Sequence, residues 1–297
     1  MSLLANTEHL NPEASEALSL SQGERVHYIK SPRWIGYPVA QDILKKMEDL
    51  LAHPQTSRMP NMLIVGDTNN GKTTIIERFV NKNPAYESAD KQYSIIPALM
   101  IQCPPVPSEA RLYSNILEKL FAPYKFTDPV EKKQYQVFKL LRSCGVKMLI
   151  LDEIHSVLSG RLELQRIFLS AIRNISNEIK IPIVGVGTKE ALRAVKTDPQ
   201  LDNRFKPELI PRWKNDDSFR RLLMSFERML PLKSPSLLAN NQIATKLFAM
   251  SEGYIGELSE ILKLVSAEAV ISGEEQINLR LLEKMNWYSP SERKKQR

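Results

Sequence analysis

The stretch GDTNNGKTT, residues 66–74, constrains this chain more than any other. It follows the apolar run MLIV and precedes IIERFV, so a strand enters it and a helix leaves it. Gly66, Gly71, Lys72 and Thr73 satisfy the spacing GxxxxGK[ST] in that context. Glycines let backbone amides turn toward phosphate oxygens, and the new helix points its positive end at them. Lys72 then reaches the β and γ phosphates, and the Thr73 hydroxyl is placed to ligate magnesium. Asp67, Thr68, Asn69 and Asn70 fill the turn and Thr74 opens the helix, so the whole stretch is expected to hold ATP with Mg2+.

The surroundings fit a wound parallel sheet. The runs NMLIV, SIIPALMIQC, VKMLILD and IPIVGVGT have strand length and no alternation, the mark of strands buried on both faces. Helical spacing predicts helices over 72–82, 108–121, 130–143 and 162–178 between them, and a leading helix in VAQDILKKMEDLLA that stops at His53-Pro54. Beyond RFKPELIPRW the strands cease, and residues 216–286 read as helices, with Asp216 as an N-cap and Gly273 closing the last long one. The expected division is a polar arm over 1–30, an α/β nucleotide-binding domain over 31–213, a helical domain over 214–288 and a basic tail over 289–297.

A second group of residues adds to the phosphate loop. VKMLILDEIH ends a strand on Asp152 and Glu153; the first carboxylate can hold magnesium and the second can polarise an attacking water. IPIVGVGT runs a neighbouring strand to Thr188, which can bond the γ phosphate or orient the water. Arg204, in LDNRF, can stabilise transition-state charge in a neighbouring subunit, and Arg212 competes for that role. His155 completes a DEIH sequence similar to a helicase box, but the helical stretch after residue 210 leaves no second sheet domain for that reading; the expectation is a helix-start residue beside the site.

In this order, a phosphate loop, an Asp-Glu strand end, a strand-end threonine, an edge arginine and a trailing helical lid resemble an AAA+ ATPase. The segments RWIGYP, GDTNNGKTT, MLILDEIH, VGVGT and LDNRF together resemble, more narrowly, the TniB family of transposon ATPases, relatives of TnsC, MuB and IstB. The similarity runs from about residue 30 to 287. It implies an α/β AAA+ P-loop fold with a parallel five-stranded sheet and a C-terminal helical lid. It also implies a transposition regulator that binds double-stranded DNA with little sequence preference. Such a protein forms an ATP-dependent homo-oligomer on DNA, as a ring or helical filament, and passes the target to a DDE transposase. Some relatives work with a TniQ-type target selector, including in CRISPR-associated transposons. Lys72, Thr73, Asp152, Glu153, Thr188 and Arg204 occupy the family's motif positions, and Gln102 falls where many AAA+ proteins keep a polar residue coupling Glu153 to ligand state. One departure stands out: SEGYIGELSEIL has Gly253 and Gly256 but lacks the lid arginine of a GxxR sequence, which implies slow or partner-stimulated hydrolysis.

Charge is compatible with a polyanionic partner. Lys and Arg number 41 against 34 Asp and Glu, a formal net charge of +7. No zinc or helix-turn-helix signature supplies base readout, so contacts to phosphates are the expectation, with Arg111, in the loop after the second strand, and Arg161, after the Asp-Glu strand end, as candidate DNA-binding residues in loops facing a ring's pore. Cys103 and Cys144 form no CxxC and the four histidines no ligand pair; with no membrane-length apolar run, a soluble protein of the reducing cytoplasm is expected. A helicase loader or replication initiator of the same ATPase class is the alternative function.

Overall fold

The computed structural model describes residues 8–89 and 94–296. The first seven residues of the expected arm and the last residue of the expected tail lie outside them. In chain order the elements are α1 (Pro12–Ala17), α2 (Gln22–Lys30), α3 (Pro38–Leu51), β1 (Asn61–Gly66), α4 (Lys72–Lys82), β2 (Tyr86–Glu87) and β3 (Ser94–Ile95). Then come β4 (Ala98–Gln102), α5 (Glu109–Lys119), α6 (Val130–Ser143), β5 (Met148–Asp152), a 3-10 turn (Ile154–Ser159), α7 (Leu162–Ile179) and β6 (Ile183–Gly187). The chain closes with α8 (Glu190–Lys196), α9 (Pro199–Asp202), β7 (Phe205–Ile210), α10 (Asp217–Glu227), α11 (Asn241–Ser251), α12 (Ile255–Ile271), α13 (Leu279–Lys284) and α14 (Pro290–Lys295).

Two compact units result. The described residues within 38–211 form one, and those up to Tyr37 join those from Arg212 onward in the other. The first is built on a five-stranded sheet in the order β4-β5-β6-β1-β7, parallel throughout. Every residue of β1, β5 and β6 is buried, because these strands are interior and covered on both faces. β7 lies at an edge, where Pro207, lacking an N–H to donate, is tolerated. The helices bury single faces: α3 turns Ala40, Ile43, Leu44 and Met47 inward, the spacing of one helical stripe.

The second unit is helical among its described residues. Asp216 caps α10 by accepting from the amides of Ser218 and Phe219, and Phe219, Leu222, Leu223 and Phe226 form the buried stripe below. The arm expected over 1–30, extended or partly ordered, contains helices among its described residues. Residues 12–30 form α1 and α2 and belong to this unit, with a capping box from Ser21 and Glu24 opening α2. The Arg25 guanidinium is buried and pairs with Glu275, while the Asn11 amide donates to the Arg228 carbonyl at 2.8 Å. The local pattern hid this because, of the buried set Ala14, Ala17, Arg25 and Ile29, only Ile29 is a large apolar side chain. The expected tail likewise folds into α14, whose Ser291 amide donates to Glu252 at 2.9 Å. Among the described residues no helix is long and apolar enough to cross a membrane.

Candidate functional site

The site grows from the carboxyl ends of the strands. β1 ends at Gly66, which lies against β7: a Cβ there would stand 3.2 Å from the Ile210 Cβ. The chain then turns through Asn69 at φ 62° and Gly71 at φ 78°, left-handed conformations that glycine and asparagine adopt most readily. Gly71 caps α4 without a side-chain bond, so the first amides of the helix face the loop unclaimed by a cap. Asn70 is buried and fixes the loop from below, its amide donating to the carbonyls of Ile210 at 2.9 Å and Pro211 at 3.2 Å. Thr68 and Thr74 are exposed along the rim.

Lys72 folds back over this loop. Its ammonium donates to the carbonyls of Gly66 at 3.1 Å and Asp67 at 2.9 Å. Burial pushes its pKa down, against the opposing pull of Glu153, Asp152 and Asp67. A buried ammonium among carboxylates and inward-facing amides is a seat for a polyanion.

Asp152 is held on both oxygens. The Thr73 hydroxyl donates to one at 3.1 Å, and the Glu153 amide donates to the other at 2.9 Å. Thr73 and Asp152 offer hard oxygen donors of the kind magnesium prefers. Among the described residues no group of three His, Cys, Asp or Glu forms a metal cage. Magnesium commonly binds through one or two protein oxygens completed by substrate phosphates and water, so this donor set fits it.

Glu153 adopts φ 58°, an uncommon conformation for a residue of its kind that recurs at functional sites. Its carboxylate lies 3.3 Å from the His155 Nε2. Across the strand pair, where Leu151 is in register with Gly185, Thr188 follows the end of β6. The Thr188 hydroxyl donates to Glu190, holding that carboxyl below its usual range, and the Thr188 amide donates to the His155 Nδ1 at 3.5 Å. Lys189, for which the sequence carries no signal, pairs with Asp67 at 3.4 Å. Gln102 ends β4 in register with Asp152, and its carbonyl accepts from Asn115 at 3.0 Å.

The loop after β4 and the segment after β5 form one surface. Ser156 donates to the Pro104 carbonyl at 2.8 Å and Ser159 to the Pro105 carbonyl at 2.6 Å. Gly160 packs so closely on Pro107 that a Cβ would fall 2.3 Å from its ring. Exposed Arg111 opens α5 from the first loop, and exposed Arg161 precedes α7 from the second. A cavity of about 930 Å³ beside the first loop is lined by Gln102, Arg111, Asn115, Lys133 and Glu153.

Arg204 is not brought to this cluster. Phe205 pairs with Asn61 and Ile210 with Gly66, so Arg204 stands at the entry of β7 while the phosphate loop stands at its exit, roughly 20 Å away at ~3.3 Å per residue. Its guanidinium donates to Asn177 at 2.7 Å, and burial with nearby Arg58 and Arg173 pushes its pKa down. Arg212 is engaged in the helical unit: it donates to the Glu252 carbonyl and stacks 4.0 Å from the Tyr254 ring.

Residues 25–215, more than half of the chain, match the family model described as "Bacterial TniB protein". The chain belongs to the TniB family. Among curated proteins this TniB chain is 26% identical over 160 residues to the chaperone protein ClpB of Aquifex aeolicus (strain VF5), covering 50% of the chain but only 14% of ClpB. Among solved structures it resembles the Aeropyrum pernix ORC1 protein in complex with DNA, at TM-score 0.62 and 18% identity, over 87% of this chain and 67% of that one. It also resembles domain III of the Thermotoga maritima replication initiation protein DnaA, at TM-score 0.53 and 14% identity, over 92% and 95%. Its fold is that of the AAA+ ATPases.

Proposed function

We infer that this TniB chain is an ATP-switched protein that assembles on double-stranded DNA and marks it for a DDE transposase. The observation that carries this reading is the stitching of the Arg111 and Arg161 loops to each other directly beside Glu153. A change of ligand at Asp152 and Glu153 is thereby felt in the two segments proposed to meet DNA phosphates.

In the proposed mechanism the amides of Gly71 through Thr74 and the Lys72 ammonium receive the ATP phosphates. Thr73 and Asp152 would hold magnesium, which when bound would supply positive charge against the phosphates. Glu153 takes a proton from the attacking water, and Thr188 orients it. Arg204 is too far from its own phosphate loop to assist, which supports its acting on the site of a neighbouring copy. Hydrolysis then requires the homo-oligomer, in ring or filament, and dissolves it. ATP that binds only the assembled form stabilises the assembly by mass action, and weak phosphate contacts add along the lattice. The missing lid arginine fits slow or partner-stimulated turnover. A TniQ-type selector is the second protein partner proposed.

The test is fluorescence anisotropy of scrambled double-stranded DNA at fixed salt with ATP, a non-hydrolysable analogue or ADP. Cooperative binding with ATP or analogue, lost in ADP, is expected. No binding in any state would sink the DNA-assembly mechanism. The likeness to ORC1 and DnaA would then favour the second reading, a replication initiator or helicase loader. Pull-down of a replicative helicase in place of a transposase would decide for it.

A further inference from the structure

His155 has no part in the mechanism above, yet it links two of its members. The ring Nδ1 accepts from the Thr188 amide at 3.5 Å, and Nε2 faces a Glu153 carboxylate oxygen at 3.3 Å. A neutral imidazole that accepts at Nδ1 carries its proton on Nε2, so the N–H is on the side of Glu153. Gly187 makes the seat possible: a Cβ there would stand 3.1 Å from Nδ1 and 3.0 Å from the Ala191 Cβ. Glu153 meanwhile holds φ 58°, a conformation that a neighbouring contact must help to maintain. The ring is partly buried, with Glu190 the other carboxylate near it.

We propose that His155 is a positioning residue, which holds the Glu153 carboxylate in place from the strand end that carries Thr188. It deepens the ATPase reading and rests on Glu153 activating water. β5 and β6 pair only as far as Leu151 and Gly185 in register, so beyond that point the ring joins the two strand ends. A displacement of Thr188 by the γ phosphate passes through one rigid side chain to the proposed base. Neither Asn nor Gln reproduces both contacts: Gln reaches as far as Nε2, Asn only as far as Nδ1.

The first test reads the tautomer without activity. In the 15N-labelled protein, with the His155 signals assigned by their loss in His155→Gln, the neutral form of the ring is expected to carry its proton on Nε2. A proton on Nδ1 overturns the proposal, whatever the ATPase does. The second test is steady-state ATP hydrolysis with double-stranded DNA present, with thermal melting to confirm folding of each variant. His155→Ala is expected to lower kcat by up to about 100-fold, the scale of a misplaced reacting group, while KM for ATP stays within about twofold. His155→Gln should recover most of the loss and His155→Asn little, and His155→Ala should add nothing in a Glu153→Gln background. Wild-type kcat in His155→Ala, equal damage in all three variants, or an undiminished effect beside Glu153→Gln would each overturn it. A wild-type chain that binds DNA but neither binds nor hydrolyses ATP would instead show that the ATPase reading has failed, and the positioning role would fall with it.

Discussion

The two ends of one parallel sheet carry opposite halves of the chemistry proposed here. At the carboxyl ends of β1, β5 and β6, Thr73, Asp152, Glu153 and Thr188 are joined directly or through His155, and Lys72 lies close enough to feel the Asp152 and Glu153 charges. At the amino end of β7, Arg204 stands apart, its guanidinium donating to Asn177. In a parallel sheet the helix N-termini and strand exits gather at one end, which suits anions. A cation needed at the anion but built into the other end can reach it only on another molecule. On the proposed reading, the divided site would make assembly a condition of catalysis.

Lys72→Ala removes the charge at the full end and is expected to abolish nucleotide-dependent DNA assembly outright, as read by anisotropy. Arg204→Ala alters the other end: ATP affinity should stay within about twofold while DNA-stimulated kcat falls on the order of 1,000-fold. A large loss of ATP affinity in the isolated Arg204→Ala chain would break the comparison, since it would place the arginine at its own nucleotide. Glu153→Gln should lower kcat about 100-fold or more and trap ATP-bound assemblies on DNA. Normal disassembly would contradict the role given to Glu153.

Asn70 ties the ends mechanically, since it anchors the phosphate loop to the exit of the strand whose entry Arg204 precedes. Asn70→Ala should cost about 1–2 kcal/mol of stability in denaturant unfolding, with two carbonyls left without their donor. The smallest effects belong to the DNA loops. Arg111→Ala and Arg161→Ala should each weaken DNA binding a few-fold and flatten the slope of log K against log salt by about 0.9. Unchanged slopes would move the DNA contact elsewhere.

Much of the full end was legible because its signals are local. Strand, glycine loop and helix follow one another in one short run, and the helices expected over 72–82 and 130–143 have those bounds. Pro129 and Ser108 stop or cap the backbone at the starts of α6 and α5, which is why the neighbouring bounds shifted little. SIIPALMIQC read as one run; Pro97 divides it, so that Ser94–Ile95 pair with Tyr86–Glu87 and only Ala98–Gln102 join the main sheet. The contact of His155 with Thr188 was not legible, because it crosses between strands that are neighbours only after folding. Nor was the burial of Arg25, whose partner Glu275 lies 250 residues along the chain. A charged residue in a polar stretch reads as solvated until its counter-ion is known. The edge arginine could be named from its motif, but only the β1–β7 register reveals that it faces away from its own loop.

The most direct test mixes two defective chains. Lys72→Ala keeps Arg204 but is expected to lose its own phosphate seat; Arg204→Ala keeps the seat but lacks the arginine. Each alone with double-stranded DNA and ATP should be inactive, and an equimolar mixture should recover a measurable fraction of wild-type hydrolysis. Failure to recover, with both chains folded and co-assembling on DNA, would contradict a site divided between two copies.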